Sequence, residues 1–359
     1  MSNKIPVTVV SGFLGSGKTT LLNRLLSAPG ASAADAAAAA RVVVIVNELG
    51  AIGVEHAQVR HVSEGVVMLD SGCLCCTVRG ELVDALRGLF MAGLQKKIPP
   101  FSRIIIETTG IADPVPIIYT LKYEPFLSDR FVYDGCISVI DAAYGAEQLR
   151  RDPVAVQQAV LGDALVISKT DLVNNGRLLA LQHELTSLNP EARQYLAQSQ
   201  PGLLELLEAG SLRAGMPHSS GRLGLWTGRG ARQLPFAHGN IQALTMTWNM
   251  PVPRAGFIKV VDLLHTDAEL ELLRIKGVLW FLGQDQASAI HGVHRELYPI
   301  ELIEPAVHDV RHMQAVEGSQ VSVLVLIFRG TAGERIQQEI AKFIPDGLSL
   351  VSSGGNFVQ

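Results

Sequence analysis

The sequence predicts a doubly wound α/β domain with a mainly parallel sheet, followed by a smaller α+β domain. Three observations carry that expectation. Short apolar runs recur through the first half of the chain: VTVV (7–10), VVVIV (42–46), IIIE (104–107), ISVID (137–141) and ALVIS (164–168). Runs of Val and Ile without polar alternation suit strands buried on both faces, as in a parallel sheet covered by helices. The intervening stretches are long enough for right-handed crossovers, and the composition shifts near residue 209.

The first run leads into SGFLGSGKTTLLNRLL (11–26), which contains G-x-x-x-x-G-K-T at 12–19 between a strand and an apolar helix. That context marks a P-loop. Gly12, Gly15 and Gly17 supply the turn. The backbone N–H groups of Gly15, Ser16, Gly17 and Lys18 would cradle phosphate oxygens at a helix N-terminus. The Lys18 ammonium would neutralise the β- and γ-phosphates, the Thr19 hydroxyl would ligate Mg²⁺, and Thr20 completes the nucleotide set. Next comes ASAADAAAAA (31–40), a low-complexity stretch of strong helix propensity. It extends the helix or loop before the second strand and has no chemistry assigned to it.

Residues 71–82, SGCLCCTVRGEL, hold Cys73, Cys75 and Cys76, while the rest of the chain has one cysteine, Cys136. Soft thiolates grouped in this way select Zn²⁺, Cu(I) or Co²⁺ over hard ions. In an extended segment Cys73 and Cys75 share a face and Cys76 points away, so a turn is needed for all three to converge. A tetrahedral site also takes a fourth ligand, for which Glu48, His56 and His61 are candidates. IIIETTG (104–110) then ends a hydrophobic strand in an acid. Glu107 would hold Mg²⁺ through water or orient an attacking water, and Gly110 would let the backbone approach the γ-phosphate. In ALVISKTDL (164–172), Ser168-Lys169-Thr170-Asp171 stands where GTPases carry the guanine-reading [N/T]-K-x-D. Asp171 would accept from guanine N1–H and the N2 amino group, the Lys169 stem would lie over the ring, and an adenine would leave a buried carboxylate unpaired.

Beyond the run 210–235, rich in Gly, Ser and Arg and read as a linker, IQALTMTW (241–248), KGVLWFLG (276–283) and VSVLVLIF (321–328) read as strands. AGERIQQEIAKF (332–343) reads as an amphipathic helix. The domains are therefore placed at 1–209 and 236–348. The spaced pairs His291/His294 and His308/His312 read as surface or capping residues and stay outside the metal site.

Composition sets outer bounds. A chain of 359 residues that is 48% hydrophobic and 18% charged can bury a sizeable core. The net charge of −4 counts against a general nucleic-acid or membrane-surface role. No apolar run is long enough to span a bilayer. The opening MSNKIPVTVV lacks a secretory core with a cleavage site. Four cysteines, three of them crowded, do not make a secreted disulfide framework. The expectation is a reduced, cytoplasmic protein.

Taken together, SGFLGSGKTTLLNRLL, VNELGAIGVE (46–55), GCLCCT (72–77), ETTGIADP (107–114), SKTDL (168–172) and LLRIKGVLW (272–280) resemble the CobW/YjiA-type metallochaperone GTPases, relatives of the hydrogenase and urease nickel-insertion GTPases. The resemblance implies a P-loop GTPase domain with a C-terminal CobW-like domain. It also implies GTP hydrolysis with Mg²⁺, and a transition metal, Zn²⁺ or another such as Co²⁺ or Ni²⁺, bound through Cys73, Cys75 and Cys76 with Glu48. That metal is passed to a client metalloprotein under control of the GTP state, and Cys75 is the shared ligand. Many relatives carry a second acid after NEFG where this chain has Ala51. Two other readings share these motifs: an accessory protein of cobalt insertion in cobalamin synthesis, and a regulatory GTPase whose thiols sense redox state.

Overall fold

The computed structural model describes residues 4–27, 33–39, 41–49, 66–71, 77–210, 241–294, 296–298, 300–303, 321–330, 333–344 and 348–351. The chain divides into two compact units, one of residues 1–182 with 192–211 and the other of 183–191 with 212–359.

In the first unit, seven strands form one sheet: β1 (Ile5–Ser11), β2 (Val42–Leu49), β3 (Val66–Ser71), β4 (Arg103–Glu107), β5 (Phe131–Asp141), β6 (Ala164–Ser168) and β7 (Arg193–Leu196). Their order is β3-β2-β4-β1-β5-β6-β7, and every neighbouring pair is parallel. The apolar runs explain this arrangement. All five residues of β6 are buried, as are four of the five in β4, which leaves no wet face. The helices are α1 (Lys18–Ser27), α2 (Ala33–Ala39), α3 (Thr77–Leu94), α4 (Val115–Tyr123), α5 (Pro125–Arg130), α6 (Gly145–Arg151), α7 (Pro153–Leu161), α8 (Asn175–Leu188) and α9 (Leu203–Gly210). Parallel register aligns the strand ends, pairing Val10 with Glu107 and Asp141 with Ser168. Loops that follow β1, β4, β5 and β6 therefore meet at one sheet edge, where open α/β folds bind ligands.

Five strands fall where the apolar runs put them. β3 and β7 were not anticipated: β3 carries the apolar run VVML, which the sequence reading passed over, and in β7 only Tyr195 is buried, so RQYL carries no apolar run. The alanine-rich stretch is helical as α2, and it has a structural task. Asp35 Oδ1 accepts from the backbone N–H of Leu204 at 2.9 Å, capping the start of α9.

The second unit holds β8 (Ile241–Trp248), α10 (Arg254–Thr266), β9 (Glu271–Trp280), β10 (Ala287–Val293), β11 (Glu296–Leu297), β12 (Glu301–Leu302), β13 (Ser322–Arg329), α11 (Gly333–Phe343) and β14 (Leu348–Val351). Its sheet runs β11-β10-β9-β13-β8-β14, with β12 also on β10, and its pairs are antiparallel. Trp248, Phe257, Leu324, Phe328, Ile336 and Ile340 form the core under α10 and α11. Burying each of the larger side chains contributes about 2–3 kcal/mol. The strand expected at 276–283 starts earlier, at Glu271, and ends at Trp280, because Gly283 turns the chain with φ at +81°. His291 is buried against Tyr298, with ring centroids 4.9 Å apart, which corrects its reading as a surface residue. His308 and His312 lie outside the described residues, as does the expected linker apart from Gly210. No described helix is long and apolar enough to cross a membrane.

Candidate nucleotide site

β1 ends at Ser11, and the chain turns through three glycines with positive φ: Gly12 at +143°, Gly15 at +70° and Gly17 at +93°. Gly12 shows why the first cannot be replaced. A Cβ there would stand 2.3 Å from the Val139 carbonyl oxygen and 2.8 Å from Ser16 Oγ. At Gly15 a Cβ would meet nothing within 4 Å, so the crown of the loop faces open space. Ser16 is buried, and its N–H donates to the Phe13 carbonyl at 3.1 Å. Lys18 opens α1, with Thr19 and the exposed Thr20 following it. The first-turn N–H groups of a helix have no intrahelical carbonyl to bond, which suits such a helix start to an anion. The Lys18 side chain folds back over the loop, donating to the carbonyls of Gly12 at 3.0 Å and Phe13 at 3.2 Å. A buried ammonium is thus held at the mouth of a phosphate-sized turn.

β4 lies beside β1, so its last residue meets the first turn of α1. Thr19 Oγ1 donates to Glu107 Oε1 at 2.6 Å, 88 residues away in sequence. Glu107 is 4% exposed, and a carboxylate so deeply buried needs polar partners. A hydroxyl and an acid brought together at a phosphate loop fit a hard, oxygen-liganded cation such as Mg²⁺. The segment after Glu107 then touches the P-loop directly. A Cβ on Gly110 would lie 2.5 Å from both N and Cα of Leu14. Only glycine permits that approach.

At the other end, Ser168 Oγ donates to the Ser16 carbonyl at 2.6 Å and lies 3.3 Å from that of Ile140. Lys169 adopts φ +52°, a left-handed conformation uncommon outside glycine, and its ammonium pairs with Asp141 Oδ2 at 2.8 Å. Asp171 stands in a single 3₁₀ turn, Thr170–Leu172. It is exposed, whereas the sequence reading treated it as a buried carboxylate. A carboxylate so placed would discriminate between bases only once a base covers it.

The structure gathers Gly12, Gly15, Ser16, Gly17, Lys18, Thr19, Glu107, Ser168 and Lys169 at one sheet edge. Cys73, Cys75 and Cys76 lie outside the described residues, as do His56, His61 and Ala51. In sequence the three cysteines fall between the end of β3 at Ser71 and the start of α3 at Thr77. The backbone of Glu48 is near the C-terminal end of β2, beside β3. Among the described residues no group of three or more His, Cys, Asp or Glu is placed to hold a metal.

Three contributors were missed. Asp141, 2% exposed, holds Lys169 with one oxygen, and with the other accepts from the N–H groups of Ala143 at 2.7 Å and Tyr144 at 3.2 Å. An acid closing the apolar run ISVID was the available signal, the same one that singled out Glu107. Arg24 on α1 donates to the carbonyls of Ala197 at 3.1 Å and Pro201 at 3.4 Å, fixing the segment after β7, and burial lowers its pKa. Gln158, on α7, carried no sequence signal.

Comparison with known proteins adds independent findings. The family model described as CobW/HypB/UreG, nucleotide-binding domain, matches residues 6–195, and the cobalamin synthesis protein CobW C-terminal domain matches 241–344. The zinc chaperone YjiA of Escherichia coli is 30% identical over 306 residues, covering 84% of this chain and 90% of that protein. The zinc-regulated GTPase metalloprotein activator 1 of Schizosaccharomyces pombe is 31% identical over 193 residues, 52% of this chain and 44% of that one. The crystal structure of Zn(II)-bound YjiA GTPase from E. coli shares the fold, with a TM-score of 0.67 at 24% identity over 95% of this chain and 99% of that one.

Proposed function

The chain belongs to the CobW/HypB/UreG family and is a GTPase, and from that premise we propose that it is a metallochaperone: it binds a transition metal, zinc by preference, and passes it to a client metalloprotein according to its nucleotide state. The observation that carries the nucleotide half is the 2.6 Å bond between Thr19 and Glu107, which joins the P-loop helix to the end of β4. In this reading Thr19 and Glu107 would hold Mg²⁺, which would offset the negative charge of the phosphates. Lys18 leaves its loop carbonyls for the phosphate oxygens, Glu107 orients the attacking water or the cation's shell, and Ser168, Lys169 and Asp171 engage guanine. The work is positioning and electrostatics on the γ-phosphate.

The metal half rests on two supports. Cys73, Cys75 and Cys76 form a soft-ligand cluster, and the relatives are named for zinc. Glu48, on the strand next to β3, is the proposed fourth ligand. Thiols that serve as metal ligands belong in a reducing compartment, so we place the protein in the cytoplasm.

The test is metal titration of anaerobically purified protein in its nucleotide-free, Mg·GDP and Mg·GTP-analogue forms. One metal per chain is expected, with affinities differing by roughly 5–150-fold between nucleotide states. Equal affinity in all three forms removes the switch and leaves a metal-binding GTPase.

A further inference from the structure

Gln158 is fully buried on α7 and belongs to none of the sequence motifs. Its side-chain NH₂ reaches two backbone carbonyls of the segment after β4, donating to Gly110 at 3.3 Å and Ala112 at 3.0 Å. Both partners are carbonyl acceptors, which fixes the orientation of the amide. The segment turns on itself there, with the Ala112 N–H donating to the Thr109 carbonyl at 3.1 Å. Gly110, held at the centre of that turn, is the residue pressed against Leu14 of the P-loop.

The other end of the link is anchored beneath the same loop. Ser138 Oγ, on β5, donates to the Gln158 backbone carbonyl at 2.5 Å, and Ser138 is the registered partner of Ser11 on β1. The P-loop is therefore referenced to the Gly110 turn both directly, through Leu14, and through Ser11, Ser138 and Gln158. Gln158 Oε1 is buried with no hydrogen-bond partner among the described residues. An idle buried acceptor costs stability. Packing alone favours Leu or Met at such a position, so the two N–H donors account for the amide.

We propose that Gln158 is a positioning residue for GTP hydrolysis, holding the Gly110–Ala112 turn in the conformation that seats Gly110 on the P-loop. The turn directly follows Glu107, so Gln158 acts on the reacting end of the nucleotide and not on the phosphate cradle or the base reader. The inference rests on GTP hydrolysis at the P-loop and is independent of metal delivery.

The test compares steady-state GTP hydrolysis with the affinities for GDP and a GTP analogue. Gln158→Met keeps the shape and removes both donors. It should lower kcat by about tenfold or more while nucleotide affinity stays within about twofold, the pattern of an interaction used on the way to the transition state. Gln158→Glu faces an acid oxygen towards two carbonyls. Protonated, it donates one hydrogen bond; ionised, it repels both, and burial raises its pKa. Its kcat relative to wild type should therefore fall as pH rises. A Gln158→Met protein with wild-type kcat overturns the proposal, as does one in which kcat, nucleotide affinity and melting temperature fall together. If that variant does not fold, hydrogen exchange over 108–114 in wild type decides: protection supports the latch and free exchange removes it. A wild-type protein that does not hydrolyse GTP refutes the activity itself, a separate outcome.

Discussion

The hydroxyl of Ser168 donates to the carbonyl oxygen of Ser16 across 2.6 Å, tying the base-reading segment to the phosphate loop. Serine has a shorter reach than the Asn that often opens this motif and the same hydroxyl reach as Thr, and β6 brings it close enough to span the gap. If these segments contact phosphate and base as proposed, the bond fixes their separation and reduces the ordering cost of nucleotide binding.

Ser168→Ala should therefore weaken GTP and GDP alike. The change strands a buried carbonyl at a cost of about 1 kcal/mol, roughly fivefold in affinity. Ser168→Thr keeps the hydroxyl and should bind within about twofold of wild type. Fluorescent-nucleotide titration measures both. Wild-type affinity in Ser168→Ala removes the tie as a contributor.

Asp171 and Asp141 should separate by phenotype. Asp171→Asn exchanges an acceptor for a donor, so GTP should weaken and xanthine nucleotides, which present a carbonyl in place of the guanine amino group, should gain. Asp141→Asn keeps an oxygen for the Ala143 and Tyr144 N–H groups but removes the charge that holds Lys169. Losing that charge-assisted contact should weaken both nucleotides by about 1–2 kcal/mol, or 5–30-fold, with their ratio unchanged. An altered ratio in Asp141→Asn makes Asp141 a base-selecting residue in its own right, beyond its hold on Lys169.

How much of this was readable in the sequence follows from which signals are local. A P-loop declares itself because Gly12, Gly15, Gly17 and Lys18 each answer a backbone or charge requirement within eight residues. Strands such as IIIE and ALVIS were visible because burial on both faces leaves a continuous apolar run. β7 was not, because an edge strand in which only Tyr195 is buried has no such run. Gln158 acts through a partner 46 residues away, so no spacing rule reaches it. Asp141, whose partner is 28 residues away, was marked only by its place as the acid that closes ISVID. Asp35 sat inside an alanine tract that looked featureless, and its partner Leu204 is 169 residues distant.

The C-terminal unit should show its own acid sensitivity. Arg335 on α11 grips Asp267, the cap of α10, at 2.7 Å and 3.0 Å, and that contact holds the Asp267 carboxyl below its ordinary value of 3.8. A depressed carboxyl stabilises the fold above its unfolded pKa and loses that contribution as pH falls through the folded one. Asp267→Asn should thus lower the unfolding midpoint by a few degrees at neutral pH. The gap should close below about pH 4 and shrink in high salt, because Arg335 is exposed. Trp248 and Trp280 lie on strands of this unit, so their fluorescence reports its transition. A gap independent of pH leaves Asp267 as a helix cap only.

The thiol cluster supplies the last expectation, and Cys75 is its test. Cys75→Ser replaces a thiol, which gives up its proton to bind a metal, with an alcohol that keeps it, so metal affinity should fall by orders of magnitude while GTP binding is kept. Competition with a chromophoric chelator measures it. Thiolate ligation displaces protons, so wild-type affinity should drop as the pH is lowered through and below neutrality, and Cys75→Ser should show a shallower slope because one fewer proton is released. Linkage adds a check that needs no variant. If the Mg·GTP form binds metal more tightly than the Mg·GDP form by some factor, metal must shift the GTP/GDP preference by that same factor. Redox-sensing thiols predict neither the stoichiometric metal nor the reciprocity. A Cys75→Ser protein that binds metal as tightly as wild type, with the same pH slope, takes the thiols out of the metal site and leaves the nucleotide site standing alone.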